Sequence, residues 1–374
     1  MTTTATGYRY RAEVIGSMLR PQELKDARDR LEQGALSPSE FKRVEDRAVD
    51  ECIAIQERSG VDVVTDGEMR RWLFTAPLTE TIEGIGPIDE AKAHKMIWHG
   101  DEELGDIEYP VPAAIVAPLR RVRSLATEEY TYTRARTSKP TKVTLPSPLM
   151  LSSFYTAGIS DEVYPDPFDA FRAGAEIVEE EIREVIGLGC EYVQIDAPEL
   201  ATHVLNDDQR EHWRERGIEP DRLLDEGVDI LNDLAEVDGP HFTLHLCRGN
   251  FAGRWMGEGG YQAISRRVFQ RATNFDAFAL EYDSPRAGSF DPLEDVPDDK
   301  VVILGLVSSK YDELEAPEQL VARIDEAAKV FPREQLALST QCGFASSVPG
   351  NPIAWETQER KLKLVADVAH EVWG

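Results

Sequence analysis

The chain has 374 residues, of which 41% are hydrophobic and 29% charged, a balance typical of a folded globular protein and not of a disordered one. Lys and Arg number 41 against 69 Asp and Glu, giving a formal net charge of −28. Because so acidic a surface repels a phosphate backbone, we predict no nucleic-acid partner. The sequence has no apolar run of about 18 residues and no apolar leader, so we also predict no membrane association and no secretion.

Eight short β-branched runs recur along the chain, each ending in polar, Gly or Pro residues. The stretches between them carry apolar residues at helical spacing, which predicts strands that alternate with helices. One helix is marked by a capping box, Ser37 to Glu40, and we expect it to end at Gly60. The eight predicted strands lie within 13–17, 61–68, 141–148, 191–199, 242–247, 278–283, 300–309 and 335–343.

This alternation predicts an α/β fold, a (β/α)8 TIM barrel that forms a single catalytic domain over residues 1–374. An open doubly wound sheet is the competing architecture, but the sequence lacks its Gly-rich dinucleotide-binding turn. The segment at about 77–140 is too long for a strand-to-helix connection and contains alternating polar and apolar patches. We interpret it as an insertion after the second strand, with a small hairpin, that either covers the barrel mouth or packs beside it.

Polar residues at the strand ends predict a metal site. His245 and Cys247 stand two apart at the end of the fifth strand, so both side chains lie on one face. Such a pair alone more often packs than binds a metal, but Glu281 ends the sixth strand and Cys342 the eighth. These ends meet at one rim of a barrel, where active sites lie. Imidazole, thiolate and carboxylate ligands together favour Zn2+ as the cofactor.

The expected ligand set also predicts a reaction. Zinc with two thiolates is a weak activator of water, but it holds an incoming thiol as its thiolate. We therefore predict alkyl transfer to a small-molecule thiol, with metal-assisted hydrolysis as the weaker alternative. Cys52 and Cys190 lie among apolar or small residues and are expected only to pack. Four cysteines in a chain of this length fit a reducing cytoplasm better than a disulfide framework.

Other polar residues at the predicted rim are candidates for holding the rest of the thiol substrate. The 15–17 segment offers backbone N–H groups and a hydroxyl to an anionic head group. Glu68 and Asp196 offer carboxylates to an ammonium group, and Asp66 either joins them or caps a turn. Arg20 either contacts a sulfonate, phosphate or carboxylate of the substrate or pairs with surface acids.

Seven short motifs spread over the chain carry a family resemblance: VIGSMLRP, TDGEMRR, QIDAPEL, HLC, LEYD, LGLVSSK and TQCGF. In their order and strand-end placement they resemble the catalytic, C-terminal half of cobalamin-independent methionine synthase. The resemblance implies a (β/α)8 barrel in which zinc holds homocysteine as thiolate and the sulfur takes a methyl group, giving methionine. It implies zinc ligands at His245, Cys247, Glu281 and Cys342, carboxylate contacts at Ile15 and Ser17, and ammonium contacts at Glu68 and Asp196.

Three departures from this family bear on the alkyl donor. The sequence has no counterpart of the family's N-terminal barrel, so it resembles the short, core-only branch. Phe154 takes the place of a Trp that stacks on the folate ring. Lys310 falls at or near the position of a general-acid His and is a candidate acid or electrostatic partner for the leaving group. Folate, a corrinoid protein, a methylated sulfur compound and an epoxide all stay open as donors.

Three alternative functions remain at this stage. The related epoxyalkane:coenzyme M transferases share the barrel and the zinc set, but coenzyme M has no ammonium for Glu68 and Asp196 to hold. A metal-free decarboxylase of the uroporphyrinogen decarboxylase type would need arginines where this rim has acids. A zinc-bearing scaffolding protein would take ligands that lie close together in sequence. The sequence indicates no particular oligomeric state.

Overall fold

The computed structural model describes residues 8–374. Within these residues the chain forms ten strands, of which the last six correspond to the last six predicted strands and the first four lie in the 77–140 segment. The strands are β1 Ile82–Pro87, β2 His94–Trp98, β3 Ile107–Val111, β4 Ala113–Arg121, β5 Val143–Pro146, β6 Tyr192–Asp196, β7 His241–Leu246, β8 Ala277–Glu281, β9 Val301–Val307 and β10 Leu336–Thr340.

The longest helices pack on the outside of the strands, each with one apolar face. Within the described residues, none of them combines the length and apolar character needed to cross a membrane. The helices are α1 Gln22–Glu32, α2 Pro38–Ser59, α3 Ala76–Thr79, α4 Ala126–Arg134, α5 Pro167–Gly187, α6 Glu199–Thr202, α7 Asp207–Glu215, α8 Pro220–Arg222, α9 Val228–Leu234, α10 Ser265–Phe269, α11 Pro317–Ala327 and α12 Trp355–Trp373.

The central sheet is parallel and keeps strands β5 to β10 in sequence order. Backbone hydrogen bonds extend it at both edges: Glu13 N–H donates to Leu338 O in β10, and Lys142 N–H donates to Val64 O, each at 2.9 Å. Asp62 also donates its N–H to the segment around residue 12, at 2.9 Å. Eight segments are thus linked edge to edge, and the predicted (β/α)8 fold class is confirmed.

The first two predicted strands are shorter than the sequence pattern indicates. Each makes only an isolated parallel bridge, through Ala12 and Val64. Strand pairing stops early in the second of these segments because the backbone turns at the rim, where Gly67 has a φ of +68° and Glu68 a φ of +56°. Left-handed backbone of this kind ends a strand. It turns residues 65–68 into a loop that carries candidate site residues.

Local sequence signals fix helix ends and strand burial. Ser37 and Glu40 form the predicted capping box at the start of α2, and Gly60 ends the helix in the left-handed conformation, with a φ of +87°. Every residue of β8 and β9 is buried, as expected for parallel strands covered on both faces. The predicted start and end of α2 are therefore confirmed.

The segment after the second barrel strand forms two nested antiparallel pairs. β1 pairs with β4, and inside that pair β2 pairs with β3. It is more extended than the small hairpin predicted from the sequence. Two backbone hydrogen bonds between His99 and Trp255, of 2.7 and 2.9 Å, tie the β2–β3 pair to the loop after β7. The pair therefore lies over the carboxyl ends of the barrel strands.

Candidate active site

Three of the four predicted metal ligands come together in the structure. His245 lies near the end of β7, Cys247 directly follows that strand, and Cys342 follows β10. One ligand atom from each lies within 4.8 Å of the others. All three side chains are buried, and the cluster lines a cavity at the carboxyl ends of the strands. Parallel strands bring these distant residues together because their ends share one rim.

The ring of His245 is held by the neighbouring strand. Its Nδ1 lies 2.7 Å from Oδ1 of Asp196, and the same oxygen accepts a 2.7 Å hydrogen bond from Gln194 Nε2. Burial disfavours the imidazolium, but the hydrogen bond and negative charge of Asp196, together with Cys342, outweigh it, so the pKa of His245 is raised. The other ring nitrogen, Nε2, is buried and has no hydrogen-bond partner. A buried imidazole oriented by a carboxylate, with its second nitrogen free, is the usual geometry of a metal ligand.

The thiols of Cys247 and Cys342 shift each other's pKa. A hydrogen bond from Cys247 lowers the pKa of Cys342, and His245 and Lys310 add positive charge that acts in the same direction. The same interaction raises the pKa of the Cys247 thiol well above its ordinary value. Cys342 is therefore the more acidic thiol of the pair, and a bound cation would deprotonate both.

Glu281 lies at the end of β8 beside this cluster but is not one of the three mutually close residues. Its Oε2 accepts a 2.8 Å hydrogen bond from the backbone N–H of Arg248. Its Oε1 has no hydrogen-bond partner and lies 3.6 Å from Nζ of Lys310. Burial alone would raise the pKa of this carboxyl, but Lys310 and Arg248 lower it. Glu281 is thus an ionised carboxylate with one free oxygen, which fits a metal ligand.

Lys310 is fully buried and lies next to Glu281, outside the cavity lining. Ion pairing with Glu281 and Asp283 raises its pKa, against the opposing effect of burial. Its ammonium therefore faces the candidate ligand and not the cavity. Of the two roles that the sequence left open, acid and electrostatic partner, this position favours the electrostatic one.

The residues expected to hold an amino-acid substrate line the same cavity: Ile15, Ser17, Glu68 and Asp196. Glu68 Oε1 accepts a 3.0 Å hydrogen bond from Thr144, whereas its Oε2 is buried and unpartnered. Burial, opposed by Arg71, raises the pKa of this carboxyl. A cation in the cavity would satisfy the free oxygen.

Two predictions about neighbouring residues need correction or refinement. Arg20 contacts neither a substrate site nor surface acids, since its guanidinium is buried and donates to the backbone carbonyls of Ala345 and Glu68. Through these backbone hydrogen bonds it braces the loops at the rim. Asp66 caps a turn, with Oδ1 accepting from the backbone N–H of Glu68 at 3.0 Å.

The cavity has a volume of about 290 Å³ and also contains residues that the sequence did not single out. Phe154 lines it, as expected. Trp98, from the inserted β2 strand, and Phe251, from the loop after β7, join it as stacked rings 5.3 Å apart. The only sequence signal for Trp98 as a cavity residue was its position in the insertion. Local sequence does not show which barrel loop an inserted strand will contact.

Cys52 and Cys190 lie away from this site. Both are buried and unpaired. Burial raises the pKa of the Cys190 thiol to about 11 and that of Cys52 beyond its ordinary range. Each packs within an apolar cluster, as predicted.

Comparison with known proteins identifies the family of the chain. Residues 11–371 match the family model described as "Cobalamin-independent synthase, Catalytic domain". The uncharacterized protein YxjH of Bacillus subtilis is 34% identical over 97% of this chain and 95% of its own length. A methionine synthase of Pyrococcus abyssi is 24% identical over 96% and 93% of the two chains.

A solved structure has the same fold. The B12-independent methionine synthase of Shewanella sp. W3-18-1, in complex with selenomethionine, superposes with a TM-score of 0.72 at 20% identity. The match covers 97% of this chain and 98% of the Shewanella chain. With the family match and the relatives above, the conclusion is that this chain belongs to the family of cobalamin-independent synthase catalytic domains, which are methyltransferase-type enzymes.

Proposed function

We propose that the protein is a zinc-dependent methyltransferase that transfers a methyl group to the thiol of homocysteine and so forms methionine. The observation that carries this proposal is the approach of the buried His245, Cys247 and Cys342 within 4.8 Å of one another in the lining of the cavity. The free Nε2 of His245 supports it, because a buried nitrogen without a partner is unfavourable unless it binds something.

The chain's own residues fit the metal. His245, Cys247 and Cys342 would hold the ion, and Glu281, with one free oxygen, would supply an exchangeable fourth ligand. Zinc, when bound, supplies the positive charge that keeps a coordinating thiol deprotonated at neutral pH. Ligands that lie on different strands and include a carboxylate favour a catalytic site over a structural one.

The amino-acid end of homocysteine fits the carboxylate side of the cavity. Glu68 and Asp196 would hold the ammonium group, while Ile15 and Ser17 would contact the carboxylate. Among the lining residues within 8–374, none is Lys or Arg. The sulfonate of coenzyme M would therefore lie near two carboxylates without a counter-ion, which disfavours the epoxyalkane alternative.

We further propose that the chain acts as one catalytic domain and that its insertion at about 77–140 helps to enclose the substrates. Trp98 of β2 and Tyr109 of β3 line the cavity, which supports this role. The four free cysteines fit a reducing compartment, and we place the enzyme in the cytoplasm.

Metal analysis and cobalt substitution test the proposal. We expect about one zinc per chain and, in the Co2+-substituted protein, a rise in the thiolate-to-cobalt absorption band when homocysteine binds. Cys342→Ser should lose the metal. Cys190→Ser is the matched control, since its serine hydroxyl can still donate to the Tyr192 carbonyl that Cys190 contacts at 3.2 Å. A wild-type protein that binds neither metal nor homocysteine would falsify the proposal.

A further inference from the structure

One wall of the cavity is aromatic and comes from two distant parts of the chain. Phe251 lies between Trp98 and Tyr109, with both ring-centroid distances at 5.3 Å. A Cβ added to Gly249 would lie only 2.9 Å from the Trp98 ring, so the ring rests against the backbone two residues after Cys247. Three aromatic rings are thus gathered in the cavity lining, and an aromatic face that is not stacked on another ring attracts cations.

The rest of the cavity strengthens this preference. Within the described part of the chain, the lining contains no Lys or Arg but does contain the carboxylates of Glu68 and Asp196. Buried Arg71 lies outside this lining; it forms a 2.6 Å ion pair with Glu129 and a longer one, of 3.6 Å, with Oε1 of Glu68, so only Oε2 of Glu68 stays without a partner. Since the lining has no basic side chain, the cavity offers no counter-ion to a polyanionic donor such as a polyglutamylated folate.

Neither Lys310 nor His203 is placed to protonate an amine leaving group in the cavity. Lys310 lies outside its lining. His203 lines it, but its ring stacks on Trp213 with centroids 3.6 Å apart, and its nitrogens each lie 3.0 Å from a hydroxyl, of Ser152 and Thr202. Both ring nitrogens are therefore engaged, and burial lowers the pKa of His203 well below its ordinary value. A leaving group that departs without protonation suits this site.

The volume of the cavity also favours a small methyl donor. A volume of about 290 Å³ is at the small end of ligand cavities, which typically measure roughly 300–1,000 Å³. The acceptor thiol must share this space with the donor. A compact donor fits better than an extended, multi-ring one.

We propose that the methyl donor is a small methyl sulfonium compound, bound against the wall formed by Trp98, Tyr109 and Phe251. This inference rests on the proposed homocysteine methyltransferase function and names its second substrate class. The thiolate sulfur forms a bond to the methyl carbon while the bond from that carbon to the sulfonium sulfur breaks. The bonding pair goes to the departing sulfur, which leaves as a neutral thioether, and no proton is transferred.

The chemical test compares donors on the zinc-loaded enzyme with homocysteine as acceptor. S-methylmethionine and trimethylsulfonium should yield methionine carrying the isotope-labelled donor methyl group, whereas methyltetrahydrofolate triglutamate and methylcobalamin should not. Methyl transfer from either of the last two, with none from the sulfonium compounds, overturns the inference. The cobalt spectrum with homocysteine alone separates this failure from a failure of the proposed function.

A binding test needs no turnover. By calorimetry, tetramethylammonium should bind more tightly than the neutral, similarly sized tert-butanol. Trp98→Leu should weaken binding of the cation about fivefold to thirtyfold, while Trp98→Phe should retain most of it. Trp373→Leu, in α12, is the control and should leave binding unchanged. Equal affinity for the cation and the alcohol, or no effect of Trp98→Leu, overturns the inference.

Discussion

Asp196 determines which nitrogen of His245 is available to a metal. Its Oδ1 lies 2.7 Å from Nδ1 of the ring, which leaves Nε2 free and facing no other partner. Gln194 donates to the same oxygen, so the carboxylate is held in place from its own strand. Asp196 also lines the cavity. One carboxylate can therefore orient a ligand and still contact the ammonium of a substrate.

Replacing Asp196 with Asn removes the negative charge but keeps the shape. We expect zinc affinity to fall about tenfold to hundredfold, because partners that orient a ligating histidine typically contribute that much. Competition with a chromophoric chelator measures the change. Asp66→Asn is the control, since Asp66 caps the N–H of Glu68 and an amide oxygen can do the same. Unchanged affinity in Asp196→Asn would show that His245 needs no such partner.

Lys310 and Glu281 form a fully buried pair 3.6 Å apart. In zinc-free protein, Lys310→Met should lower the free energy of unfolding by about 3–5 kcal/mol, since it leaves a buried carboxylate without a counter-ion. Zinc can supply that positive charge, so the loss should be smaller in the zinc-loaded protein. Urea unfolding of both forms measures the difference. Lys300→Met is the control: this lysine donates to the Thr273 carbonyl, so its loss should lower stability equally in the zinc-free and zinc-loaded proteins. An equal loss of stability in the two forms of Lys310→Met would argue against Glu281 as a ligand.

At the scale of structural elements, the loops after β7, β9 and β10 together fix the position of Cys342. The carbonyl of Gly343 accepts a 2.8 Å hydrogen bond from Asn250 and a 2.9 Å bond from the Ser309 hydroxyl. A Cβ at Gly343 would lie 2.0 Å from Oγ of Ser17, so only glycine allows this approach. The loops brace each other, and the metal ligands are held without the metal.

The β2–β3 pair depends on a second glycine. Gly249 has a φ of +85°, and its missing Cβ makes room for Trp98. We expect Gly249→Ala to lower stability by about 1–2 kcal/mol for the left-handed backbone and to displace the ring as well. Gly217→Ala is the matched control: it has a φ of +79° and no atom within 4 Å of an added Cβ. Urea unfolding should show the loss of stability from backbone strain in both variants. Tryptophan fluorescence should shift only in Gly249→Ala, where the ring of Trp98 is displaced.

On the scale of the whole molecule, one buried carboxyl contributes stability that is lost as the pH rises. Glu199 is fully buried, and burial raises its pKa to about 8. An unfolded glutamate titrates near pH 4.3, so the folded state holds this proton more tightly. The contribution to stability is therefore complete below about pH 4 and is lost progressively up to about pH 8.

Glu199→Gln should remove this dependence. Between about pH 6 and pH 8, wild-type protein should lose about 2 kcal/mol more stability than the variant. Urea unfolding at several pH values gives the measurement, with the exposed Glu334→Gln as control. Parallel curves for wild type and Glu199→Gln would mean that this carboxyl is ionised in the folded protein.

The sequence by itself determined the order of the barrel segments and the four polar residues at their ends. Alternation of strands and helices is a local signal, and the end of a parallel strand has a fixed place at the rim. His245 and Cys247 could be paired from their spacing alone. The start and end of α2 also followed from adjacent residues.

Tertiary structure decided which groups those side chains meet. It paired Asp196 with His245, turned Lys310 towards Glu281 and buried Arg20 among backbone carbonyls. It also brought Trp98 from the insertion against the loop after β7. Such contacts join residues far apart in the chain, and their geometry depends on how whole elements pack. Periodicity reports only which face of its own element a residue occupies.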